Sequence, residues 1–181
     1  MSDISDAARA VAFIADYANS DVAGKLNVIG ANINILGQLP TGATVPFAMV
    51  TNILVPATFA GQQYVATTQL WDVTNDRIVQ VPGGNGTLES LRAQQVVTVP
   101  QIQAGPGMVP PMDGFVTHTM VLNFSTGLPL ASGTYEVLVQ VDGAVVESCA
   151  RFHVPTPYPT VIGGPAGPTD IPGVGPFPGQ E

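Results

Sequence analysis

The run GTYEVLVQVDGAVVESCARFHV, Gly133 to Val154, decides the fold. Its residues alternate in character on either side of Asp142-Gly143. A two-residue loop of that type is the strongest short signal for a β-hairpin, because a tight type I′ turn needs positive φ at both central positions. The implied register pairs Val141 with Ala144, Val139 with Val146, Val137 with Ser148 and Tyr135 with Ala150 on a mostly apolar face. The opposite face pairs Gln140 with Val145, Leu138 with Glu147, Glu136 with Cys149 and Thr134 with Arg151. That face is mixed, with Glu136 diagonal to Arg151. Strand pattern and turn chemistry agree, and such agreement between levels specifies structure.

Similar runs lie upstream. Phe115–Phe124 alternates cleanly, with Val116, His118, Met120, Leu122 and Phe124 on one face. Gln63–Val73 and Arg77–Val81 read as a hairpin around Thr74-Asn75-Asp76, and Pro46–Val55 as a strand with proline at its start, where a missing N–H is tolerated. Ala10–Ala18 suits a buried strand. In Lys25–Leu36, Leu26 and Val28 share one parity while Ile33 and Ile35 share the other, which predicts a β-bulge near Gly30. Leu88–Gln95 reads as a short helical turn and Val96–Val99 as a short strand. Met1–Arg9 reads as a loose leader. About eight or nine short strands at this spacing predict an all-β fold, an antiparallel β-sandwich over residues 10–154.

Composition narrows the function classes. The 181 residues are 45% hydrophobic and only 10% charged, with net charge −8. A chain this apolar can bury a sizeable core, but its surface is then unusually neutral, as expected of a subunit in an assembly. The five basic residues, Arg9, Lys25, Arg77, Arg92 and Arg151, form no cluster to neutralise phosphates. Nucleic acid and anionic membrane surfaces are therefore not expected partners. Cys149 is the single cysteine, so no intrachain disulfide forms. The acidic, polar start lacks the pattern of a signal peptide, and no apolar run reaches the length of a bilayer span. Synthesis and folding in the cytoplasm are expected.

After Val154 the sequence changes character. Residues 155–181, PTPYPTVIGGPAGPTDIPGVGPFPGQE, are dense in proline and glycine. Proline removes ladder donors, and glycine prevents a stiff polyproline rod. Tyr158, Val161, Ile162, Ile171, Val174 and Phe177 punctuate this stretch as spaced apolar anchors, which a purely solvated linker does not need. The stretch reads either as a disordered tail or as an extended arm that docks on a protein partner; the docking arm is the expectation, with these six as partner-binding residues.

No constellation for catalysis stands out. His118 lies on an apolar strand face, where a satisfied core histidine is the default over a base. His153 ends the last strand. Ser148, Cys149 and His153 are close in sequence, but no GxSxG elbow supports a nucleophile. Two histidines and one cysteine without paired spacing give no zinc signature. Asp72, Asn75 and Asp76 offer oxygens for calcium, yet a hairpin turn uses the same residue types. Gly83-Gly84-Asn85-Gly86-Thr87 lacks the lysine of a phosphate loop. Asp16 and Tyr17 suit a structural corner, or an Asp16–Lys25 pair holding the first loop. No cofactor, metal or catalytic residue is expected.

The segments Phe13-Ile14-Ala15-Asp16-Tyr17-Ala18 and Gly24-Lys25-Leu26-Asn27-Val28-Ile29-Gly30, with Gly133-Thr134-Tyr135 and Val141-Asp142-Gly143 downstream, resemble a family of small bacterial and phage proteins classed as a domain of unknown function. Its members share an ADYA…GKLNxxG opening and a GxY…VDG closing hairpin. The resemblance spans roughly residues 10–154, implies a sandwich of bacterial or phage origin, and offers no catalytic residue to carry over. The expected role is that of a non-enzymatic structural protein, most specifically a phage capsid decoration or accessory virion subunit, homo-oligomeric, contacting the capsid lattice or its own copies. The alternative is a cytoplasmic bacterial sandwich module that binds a small ligand or protein through the loops Pro82–Thr87 and Gln103–Gly114.

Overall fold

A computed structural model describes residues 3–21, 25–84, 86–101 and 114–156, without the side chains of residues 147–149. The arm residues Tyr158, Val161, Ile162, Ile171, Val174 and Phe177 lie outside the described residues, as does nearly all of the loop Gln103–Gly114. Two antiparallel sheets pack face to face. The first orders β1 (Arg9–Ala15), β4 (Phe47–Pro56) and β10 (Phe115–Phe124) with β4 central. The second orders β12 (Ala144–Val154), β11 (Gly133–Val141) and β5 (Gln63–Asp72). The far edge of β5 is shared by β6 (Arg77–Ile78) and β9 (Arg92–Thr98). The all-β, sandwich-like expectation is met.

Alternation puts the core between the sheets. Ile53, Val55 and Met120 of the first sheet meet Tyr64, Ala66, Val139 and Val141 of the second at one end. Ile14, Phe47 and Met49 meet Leu70, Tyr135, Val137 and Phe152 at the other. Between these clusters the Thr68 hydroxyl donates to Thr51 Oγ1 at 3.2 Å, so two buried hydroxyls satisfy each other.

The closing hairpin turns where expected. Asp142 and Gly143 adopt φ of 49° and 83°, and Val141 pairs with Ala144. The register then corrects the simple reading. Val139 pairs with Val146, but Val137 pairs with Ala150, not Ser148, and Tyr135 with Phe152, not Ala150. Glu136 lies opposite Arg151, not Cys149, and Thr134 opposite His153. Two extra residues on β12 are absorbed in a bulge opposite Leu138. An even insertion preserves the parity of every side chain, so the apolar face survives the shift.

The opening motif also differs from the bulged strand expected. β1 stops at Ala15, and β2 (Tyr17–Ser20) pairs with β3 (Leu26–Ile29) in a separate ribbon. That ribbon lies over the outer face of the first sheet, where Ala18, Leu26 and Val28 cover Ala48 and Val50. This third layer explains why β4 is buried on both faces from Phe47 to Thr51. At Gly30 (φ 64°) the chain leaves the ribbon. It runs to β12, where Ile35 bridges His153 in parallel. Ile33 reaches the core by that route, while Ile35 stays 64% exposed.

Two further expectations change. The stretch read as a leader forms α1 (Asp3–Ala7), a single turn whose Ile4 enters the core. Leu88–Gln95 is not helical. Leu88–Ser90 forms β8 against β7 (Gln80–Pro82), and Arg92 onward joins β5. Helix-favouring Leu, Glu, Ala and Gln are overridden by pairing to a buried strand.

Candidate interaction surface

On its outer face the second sheet buries Thr67 and Gln69 at the centre and leaves apolar side chains exposed toward its edges. By register, Trp71, Glu136 and Arg151 form one row, Thr67, Gln140 and Val145 another, and Val65 lies beside Val96. Arg151 Nε donates to Glu136 Oε2 at 3.0 Å. The arginine side chain is 62% exposed, so the pair fixes geometry more than it adds stability. Val96 and Val145 are 64% and 62% exposed. Phe115 is exposed on the first sheet, with the Arg9 guanidinium 5.6 Å from its ring centre. Large apolar side chains left in water on a weakly charged chain mark surfaces suited to protein contact.

β9 borders this face. Arg92, Gln94, Gln95, Val96 and Thr98 are all exposed. The free-edge strand was legible in part. Val96, Val97, Thr98 and Val99 are a β-branched run, but the preceding LESLRAQQ hid its beginning.

His118 is the one buried chemical group that departs from expectation. Instead of being satisfied, its Nε2 is buried without a hydrogen-bond partner. Burial lowers the pKa of the imidazole. A cavity of about 230 Å³ adjoins it, lined by Tyr64, Val97, Val99 and Val116 among others. Burial, and then the Asp142 carboxylate, push the Tyr64 phenol up to about 12. Among the described residues, neither group is hydrogen-bonded to a second titratable residue in a nucleophile–base arrangement.

The other candidates resolve into structure. Asp72 Oδ1 accepts the Asn75 N–H at 3.1 Å, and Oδ2 accepts Asn75 Nδ2 at 2.8 Å, which closes the hairpin turn. Among the described residues, no group of three or more acidic, histidine or cysteine side chains is placed to hold a metal. Lys25 does not reach Asp16 in an ion pair; its N–H bonds the Asp21 carboxylate, and Asp16 abuts Gly30. His153 is exposed. No helix among the described residues is long and apolar enough to cross a membrane.

Tyr135 completes the picture of the class. It sits near the start of β11, and its hydroxyl donates to the Ala131 carbonyl four residues upstream at 2.8 Å. This contact, like a tyrosine corner, sits within two packed antiparallel sheets, and together they define the class as an all-β, sandwich-like fold. More narrowly, the chain belongs to the family of unknown function DUF6941, whose model matches residues 10–154. No curated protein matches the sequence.

Proposed function

We propose that the chain is a non-enzymatic subunit of a larger protein assembly, in its most specific form an accessory or decoration subunit of a phage particle. The observation that supports this reading is the set of exposed apolar side chains, Val96, Val145, Val11 and Phe115, on a molecule with 10% charged residues. Adhesion needs surface and edges rather than a reacting centre. The apolar anchors of residues 155–181 add reach to the same role.

The test is distribution. Particles from producing cells are separated on a density gradient and probed for the chain. Recovery in the particle band supports the reading, and confinement to the soluble fractions contradicts it.

The cavity beside His118 favours a second reading, a module that binds a small ligand. A thermal-shift panel of small, mostly apolar molecules tests it, and stabilisation that is lost in Tyr64→Ala supports it.

A further inference from the structure

We infer, building on the assembly role proposed above, that β9 is a self-pairing edge through which two copies join their second sheets into one continuous antiparallel sheet.

The backbone fixes which groups are free. Val99 donates to the Gln62 carbonyl and accepts from the Gly61 N–H, both at 2.9 Å. Alternation along an antiparallel ladder then turns the N–H and C=O of Ala93, Gln95 and Val97 toward β5. Those of Arg92, Gln94, Val96 and Thr98 point away from it. The opposite side of β5 agrees, since Val65 and Val73 bond toward Asp142 and Thr134.

The other sheet edges are touched by neighbouring segments at particular points. The His153 N–H donates to the Asn34 carbonyl, and the Leu36 N–H to the His153 carbonyl, along β12. Ile33 donates to Ile14 beside β1. Asn123 of β10 donates its side-chain amide to Ala18 at 2.8 Å. Among the described residues, β9 has no such cover from Arg92 to Thr98. Its pairing with β5 is regular over all seven residues, without a bulge. It contains no proline and no lysine, the usual devices that blunt an edge.

The strand also matches itself. A two-fold axis at Gln95 sets Gln94 opposite Val96 of the second copy and Arg92 opposite Thr98. Each of these pairs brings outward N–H and C=O groups together. Ala93 then meets Val97 on the inner face. From Leu91 to Gln101 the chain has no acidic residue, and Arg92 is its one charge. Two molecules of net charge −8 can therefore meet here without opposing like charges across the ladder.

Cross-linking and a proline pair test this register in the full chain. Gln95→Cys, in a Cys149→Ser background, puts two thiols across the axis at a non-hydrogen-bonded pair. The Cα separation there is about 4.5 Å, within the disulfide range. Mild oxidation is expected to give a disulfide dimer that keeps the native circular dichroism. Val96→Pro deletes an outward N–H and leaves the β5 ladder intact, so it is expected to fold normally and weaken the dimer roughly a hundredfold. Val97→Pro deletes an inward N–H and is expected to destabilise the monomer instead. A dimer indifferent to Val96→Pro would overturn the β9 interface while leaving the assembly role standing. A folded chain that stays monomeric and still bands with particles would do the same. A dimer that Val96→Pro abolishes, in a chain never found in particles, would uphold the interface and sink the particle role.

Discussion

Tyr135 and Gly30 show how single residues in the two sequence motifs set local geometry. The Tyr135 hydroxyl donates to the Ala131 carbonyl. Tyr135→Phe is therefore expected to lower stability by about 1 kcal/mol in urea denaturation, with the sandwich otherwise unchanged. A Cβ at Gly30 would lie 2.0 Å from Asp16 Oδ2, on a backbone with φ 64°. Gly30→Ala is expected to cost roughly 1–3 kcal/mol, with part of that recovered in an Asp16→Ala background. His118 predicts a pH dependence. Its folded pKa lies below the ordinary 6.5 because burial disfavours the imidazolium. The unfolded chain therefore takes up this proton first as pH falls. The stabilisation is complete above pH 6.5 and is lost below it, toward the folded pKa. The stability of His118→Phe should fall less steeply over that window; an unchanged slope would show that His118 is not the group responsible. The motif residues were legible as positions, but the Gly30–Asp16 contact was not, since spacing alone does not say which atoms crowd a turn.

At the scale of elements, the closing hairpin is tied to β5 as well as to itself. Asp142 donates its N–H to the Val65 carbonyl at 2.9 Å, and its carboxylate accepts the Val65 N–H at 2.8 Å. Asp142→Ala removes the second bond and puts a β-carbon with no local acceptor at φ 49°. A loss of about 1–3 kcal/mol is expected, read by thermal or urea unfolding. The closing turn, its two strands and the inward face of β10 were readable because period-2 alternation and Asp-Gly chemistry act locally. The two-residue shift in β12 was not, because a bulge that preserves parity leaves no mark on the hydrophobic pattern. β8 and the start of β9 were hidden for a different reason. Their residues favour helix in isolation, and only β7 and β5, distant in sequence or across a turn, make them strands. The six arm residues, Tyr158, Val161, Ile162, Ile171, Val174 and Phe177, rest on sequence pattern alone.

The whole molecule combines a large shared core with little surface charge. Burial between the sheets accounts for the hydrophobic content only in part, since Val11, Ile29, Ile35, Leu88, Val96 and Val145 each remain more than half exposed. A contact made of backbone hydrogen bonds and aliphatic side chains should resist salt. With both copies acidic, raising the ionic strength is expected to leave association unchanged or to strengthen it. Sedimentation velocity of the full chain over a concentration series, beside Val96→Pro, tests this most directly. The β9 interface predicts a reversible dimer that persists in high salt and disappears in the proline variant. A single monomeric species up to roughly 1 mM, or a dimer unaltered by the proline, would contradict it.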